Sequence, residues 1–77
     1  MKVQYYIFLQ WDKMLMPICY VNTFEGLRIQ LEKLGCEMPA NIEERFNECS
    51  NQYIGKSDND ENIYVCEIQG WEYVDDL

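Results

Sequence analysis

The sequence predicts a small α+β domain of order ββααβ, in which two helices pack on one face of an antiparallel three-stranded sheet. Two observations support this prediction: apolar residues alternate with a period of two at the start of the chain, and they recur with helical spacing in its middle. The chain has 77 residues, of which 48% are hydrophobic, against a net charge of −8. This composition is too apolar for a disordered chain, so residues 1–77 are expected to form one domain around one core.

Residues 3–10 and 14–21 predict a β-hairpin that turns at Asp12 and Lys13. If the strands pair without interruption from the turn, apolar residues of both strands fall on the same face, and this agreement favours the pairing. The predicted cross-strand pairs are Trp11 with Met14, Leu9 with Met16, Ile7 with Ile18, and Tyr5 with Tyr20.

Pro17 bears on the position of the second strand, because proline has no N–H to donate to a ladder. The second strand is therefore expected to be an edge strand or to contain a bulge. The other face of the hairpin includes Tyr6 and Phe8, which are unfavourable to leave in water. These two side chains are expected to be covered by the C-terminal segment, with a contact patch as the alternative.

Two amphipathic helices are expected to follow the hairpin. The first starts in a capping-box-like pair, Asn22 and Glu25, and ends at Gly35, while the second starts at Asn41 and ends at Gly55. The apolar stripe of the first helix is Phe24, Leu27, Leu31 and Leu34. The apolar stripe of the second helix is Ile42, Phe46, Cys49 and Tyr53.

A polar loop is predicted at residues 56–61, followed by a third strand at residues 62–69 that is rich in β-branched and aromatic residues. The loop contains Asp58-Asn59-Asp60, which is how a calcium-binding loop begins. Such a loop needs a glycine at its sixth position and a glutamate at its twelfth, where this chain has Ile63 and Gln69. A solvated turn explains the segment better.

The residue types exclude several kinds of chemistry. The chain has no histidine, and its four cysteines are 17, 13 and 17 residues apart, without the close pairs typical of a structural zinc site. Free thiols are expected, and no metal or cofactor. No nucleophile has a histidine base to activate it, so the chain is not expected to be an enzyme. No apolar run approaches the roughly 20 residues of a membrane span, and a cytoplasmic location is expected.

Charge divides the chain into two unequal halves. Residues 1–36 have four basic and three acidic residues, whereas residues 37–77 have eleven acidic residues against Arg45 and Lys56. Six scattered basic residues do not suit direct nucleic-acid binding. Acidic side chains on the second helix and the following loop could instead occupy the basic groove of a nucleic-acid-binding protein. The predicted partner-binding residues are Glu43, Glu44, Glu48, Asp58, Asp60 and Glu61, with Tyr53 and Trp71 as aromatic anchors.

This small, acidic and aromatic-rich profile is similar to that of phage-encoded inhibitors that mimic DNA, such as anti-CRISPR and anti-restriction proteins. The resemblance implies a stoichiometric inhibitor of a basic effector or nuclease, acting in the cytoplasm of the host cell. Two alternatives stay open: an immunity or antitoxin protein that blocks a nuclease toxin, and a structural module that self-associates through the Pro17 edge strand and the Tyr6/Phe8 face.

Overall fold

A computed structural model describes residues 3–69 as one antiparallel sheet of four strands with two helices. The strand order across the sheet is β2-β1-β4-β3, so that β2 and β3 form its two edges. The elements, in chain order, are β1 Val3–Trp11, β2 Met14–Val21, α1 Phe24–Lys33, α2 Ile42–Glu48, β3 Asn51–Lys56 and β4 Asn62–Gln69. The fold is therefore ββααββ, an α+β domain as expected, but with one more strand.

The prediction of three strands was wrong because the second helix is shorter than its apolar stripe indicated. The helix α2 ends after seven residues at Glu48, and Cys49 already has an extended backbone. From Asn51 onward the chain pairs with β4 and forms β3. Tyr53 is thus a strand residue rather than the last position of a helical stripe. Pairing with β4 supplies backbone hydrogen bonds that a local spacing pattern does not reveal.

The hairpin of β1 and β2 has the predicted register only next to its turn. Asp12 has a left-handed backbone (φ 59°), as the two-residue hairpin turns require. Trp11 pairs with Met14 and Leu9 with Met16, but a bulge then leaves Ile18 without a partner. The predicted pairs of Ile7 with Ile18 and of Tyr5 with Tyr20 are wrong: Ile7 pairs with Cys19 and Tyr5 with Val21.

The bulge changes which side chains of β2 point toward the helices. Beyond it, Cys19 and Val21 lie on the helix-bearing face and pack against the core. Tyr20 lies on the other face, where its ring stacks on Tyr6 at a centroid distance of 5.6 Å. Pro17 sits immediately before the bulge and on an edge strand, so both of its predicted consequences are confirmed.

The helix α1 begins one residue later than predicted. Thr23 is its N-cap, and the Thr23 hydroxyl oxygen accepts a hydrogen bond of 2.9 Å from the Gly26 N–H. The predicted end at Gly35 is confirmed, and this glycine has the left-handed backbone (φ 85°) that terminates many helices.

The core lies between the two helices and one face of the sheet, as predicted. Both helices contribute two buried side chains to it, and the central strands β1 and β4 contribute two each. The buried residues are Tyr5, Ile7, Leu27, Leu31, Cys36, Ile42, Phe46, Ile63 and Val65.

Candidate acidic binding surface

Three glutamates line the solvent side of α2. Glu43, Glu44 and Glu48 are all exposed, while Ile42 and Phe46 of the same helix are buried against the sheet. Glu44 and Glu48 are one helical turn apart, a spacing at which like charges destabilise a helix by a few tenths of a kcal/mol. We refer to Glu43, Glu44 and Glu48 as the α2 acidic group.

The cation within α2 does not neutralise these glutamates. Arg45 instead reaches β3, where its Nε donates to the Gln52 side-chain oxygen (3.3 Å) and its terminal nitrogen donates to the Tyr53 carbonyl. Within residues 3–69, the ion pairs join Arg28 to two glutamates of α1 and Lys56 to Asp60. The α2 acidic group takes part in none of these pairs, so its negative charge is open to solvent and to a partner.

A fourth glutamate, on β4, extends this negative region toward the middle of the sheet. Glu67 is the β4 neighbour of Tyr5 in the sheet. Burial, followed by the negative charges of Glu67 and Glu43, raises the pKa of the Tyr5 phenol. One carboxylate of α2 and one of β4 thus act on the same phenol. From the sequence, Glu67 counts among the acidic residues of the second half but not among the predicted partner-binding residues.

The remaining predicted acidic residues lie in the turn between β3 and β4. Asp60 forms an ion pair with Lys56 (3.2 Å), and Glu61 accepts a hydrogen bond from the Ser57 hydroxyl (3.1 Å). The Asp58 N–H donates to the Leu34 carbonyl, which ties the turn to the end of α1. We refer to Asp58, Asp60 and Glu61 as the loop acidic group.

The fold does not bring the two acidic groups together. The helix α2 is joined to β3 at the start of that strand, while the loop acidic group follows the end of the strand at Lys56. Six strand residues correspond to about 20 Å. The predicted acidic residues therefore form two separate regions, one before the start of β3 and one after its end.

Of the two predicted aromatic anchors, the structure describes Tyr53, which does not lie beside the α2 acidic group. Tyr53 is exposed, but it pairs with Tyr64 on the sheet face opposite the helices, with ring centroids 5.4 Å apart. Trp71 lies outside the described residues. Phe24, half-buried at the start of α1, lines the groove beside Glu43 and Glu44, whereas the sequence assigned it only to the apolar stripe of the first helix.

A groove of about 370 Å³ opens beside the first turn of α2. Phe24, Met38 and Ile42 contribute apolar surface to it, and Glu43 and Glu44 contribute carboxylates. An apolar wall beside two carboxylates suits the side chain of lysine or arginine, which has an aliphatic stem and a charged head. Met38 carried no signal in the sequence, because it lies in the segment between the two helices.

The cysteines are free thiols in the structure, in agreement with their spacing. Burial raises the pKa of the Cys19, Cys36 and Cys66 thiols, which disfavours their reactive thiolate form. Among residues 3–69, no group of three or more potential ligands could hold a metal ion. Neither described helix has the length and apolar character needed to cross a membrane.

Comparisons with protein-family models, with curated proteins and with solved structures give no match to this chain. Its function is therefore inferred from its own residues.

Proposed function

We propose that this protein is a non-enzymatic inhibitor or adaptor that docks the α2 acidic group on the basic surface of a nucleic-acid-binding protein. One observation supports the proposal above the others: Glu43, Glu44 and Glu48 are exposed together, while the cation between them, Arg45, is engaged by β3. A helix face arranged only for stability would pair such glutamates with lysine or arginine one turn away.

The groove beside α2 supports a particular mode of contact. A lysine or arginine of the partner would lay its aliphatic stem on Phe24 and Met38 and place its charged head between Glu43 and Glu44. The desolvated apolar wall would strengthen this ion pair relative to a fully exposed one. The remaining acidic residues would act at longer range, by steering the partner toward this surface.

The loop acidic group has a lesser role in this proposal. Asp60 is partly neutralised by Lys56, and Glu61 accepts a hydrogen bond from Ser57. With about 20 Å between the two acidic groups, one partner would contact both only if its basic surface is extended. An extended groove that holds a nucleic acid would meet this requirement, because duplex DNA carries one negative charge per about 1.7 Å of its axis.

The test is affinity capture from a cell lysate at low and at high salt, with mass spectrometry of the captured proteins. The wild-type chain is expected to retain a basic nucleic-acid-binding protein at low salt and to release it at high salt, since exposed charges are screened. The E44K/E48K variant is expected to lose that protein. Undiminished capture by E44K/E48K would refute the proposal.

The matched control is the E25K/E32K variant, which changes the net charge equally but alters α1, where both glutamates are exposed beside Arg28. Capture by this control is expected to fall much less than capture by E44K/E48K. An equal loss would mean that net charge, rather than the α2 surface, attracts the partner. Titration with a short arginine-rich peptide, followed by NMR, should shift the amide signals of Glu43 and Glu44 first.

A further inference from the structure

The two edges of the sheet differ in how they are protected. Free strand edges are usually shielded by charged side chains, proline, bulges, short length or a covering element. The β3 edge is six residues long, has an irregular pairing at Ile54, ends in Lys56, and contacts α2 through Arg45 and Gln52. The β2 edge, Met14–Val21, has no aspartate, glutamate, lysine or arginine. Pro17 and the bulge that follows it shield the second half of this edge, which leaves residues 14–16 as its unshielded part.

The β2 edge also exposes large apolar side chains. Met14 is 60% exposed, and Leu15 is 53% exposed. The large hydrophobic residues that are exposed on or next to this strand are Trp11, Met14, Leu15, Met16, Ile18 and Tyr20. These side chains project from both faces of the strand, with Met14 and Met16 on one face and Leu15 on the other. Among residues 3–69, no strand pairs with the outer side of β2.

We propose that the β2 edge pairs with the β2 edge of a second copy of this chain, which would join two sheets into one of eight strands. A pairing of like edges is antiparallel and obeys a two-fold axis, so each copy offers the same surface to the other. Backbone N–H and C=O groups supply the pairing, and the exposed methionine, leucine and tyrosine side chains add apolar contact.

Charge favours a second copy over a charged partner at this edge. Residues 3–21 include only Asp12 and Lys13 as charged side chains, so the hairpin has no net charge with which to attract a basic or an acidic protein. The β3 edges of the two copies would lie about 34 Å apart across eight strands, which is well beyond the Debye length of about 8 Å. The acidic halves of the two copies would therefore not repel each other strongly.

The hairpin register identifies the backbone groups that are free to pair. Because a two-residue turn makes Trp11 and Met14 a hydrogen-bonded pair, the N–H of Leu15 points to the outer edge, as does the nitrogen of Pro17. Proline is tolerated there because no hydrogen bond to β1 is lost. Leu15 is thus an exposed position whose N–H faces the proposed partner strand, while its side chain stands on one face of the sheet beside that strand.

The test is analytical ultracentrifugation under reducing conditions, from roughly 10 μM to 1 mM protein, at about 0.15 M and 1 M NaCl. A dimer is expected to appear with increasing concentration and to persist at high salt. The L15K variant is expected to weaken the dimer by about tenfold or more, because a charge on the edge opposes pairing. The I29K control alters an exposed residue of α1 (40% exposed) and should change the dissociation constant less than about twofold.

Hydrogen exchange distinguishes edge pairing from stacking of sheet faces. Edge pairing predicts slower exchange of the Leu15 amide as the protein concentration rises. A monomer throughout the range, a dimer insensitive to L15K, or an unchanged Leu15 amide would each overturn the proposal. Because Leu15 and the α2 acidic group lie on opposite edges, failure here would leave the proposed binding of a basic partner unaffected.

Discussion

Arg45 and Gln52 hydrogen-bond each other in both directions across the junction of α2 and β3. The Arg45 Nε donates to the Gln52 side-chain oxygen (3.3 Å), and the Gln52 side-chain nitrogen donates to the Arg45 backbone carbonyl (2.7 Å). The same nitrogen donates to the Cys49 carbonyl (2.8 Å). Gln52 therefore satisfies carbonyl groups at the end of α2, and it holds the one basic side chain of α2 away from the acidic group.

Replacing Gln52 with alanine should destabilise the protein by about 1 kcal/mol, because the Arg45 carbonyl keeps only the Cys49 N–H as a donor, while the Cys49 carbonyl and the Arg45 side chain each lose a partner. The measurement is urea unfolding followed by circular dichroism. The control is Asn51→Ala, at an exposed neighbouring position, which should change the free energy of unfolding by less than about 0.5 kcal/mol. Equal effects of the two substitutions would contradict the role assigned to Gln52.

Replacing Gly35 with alanine should destabilise the protein by about 1–3 kcal/mol for two reasons. The backbone is left-handed there (φ 85°), and a Cβ would lie 2.0 Å from a carboxylate oxygen of Asp58. In an Asp58→Ala background, the cost of Gly35→Ala should fall to about 1 kcal/mol, the share due to the backbone alone. A cost that does not depend on Asp58 would mean that the turn and α1 are not in contact.

The bulge at Ile18 can be tested through the tyrosine that it reorients. A double-mutant cycle of Tyr20→Ala with Tyr6→Ala should give a coupling energy of about 0.5–1 kcal/mol, since the two rings stack. The same cycle of Tyr20→Ala with Tyr5→Phe should give a coupling near zero, because Tyr5 lies on the other face. Stronger coupling to Tyr5 would indicate the uninterrupted register instead.

The stability of the fold should fall in alkaline solution. The pKa of Tyr5 is raised from its ordinary value of 10.0, first by burial and then by Glu67 and Glu43. A group whose pKa is higher in the folded state contributes stability that is complete below the unfolded pKa and lost as the pH rises through the folded pKa. Unfolding free energies measured from about pH 8 to pH 11 should therefore decline, and less steeply in Tyr5→Phe. An identical decline in the variant would exclude Tyr5 as a cause.

The elements that the sequence predicted well are those whose signals are local. The strand at 62–69 and the end of α1 at Gly35 were predicted correctly, because β-branched content and a helix-ending glycine act within a few residues. The candidate acidic binding surface was predicted less completely. The exposure of Glu43, Glu44 and Glu48 followed from their spacing on a helix, but the groove contributed by Phe24 and Met38 did not, since those residues meet α2 only through the fold.

The sequence by itself determined the α+β class, the hairpin at the start of the chain, the first helix and the excess of acidic residues in the second half of the chain. Three features were decided by tertiary structure alone: the fourth strand, the bulge at Ile18 and the separation of the two acidic groups. Each depends on partners distant in the chain. Residues after Cys49 leave the helix because β4 offers backbone pairing, and the length of that pairing places the acidic turn away from the acidic helix.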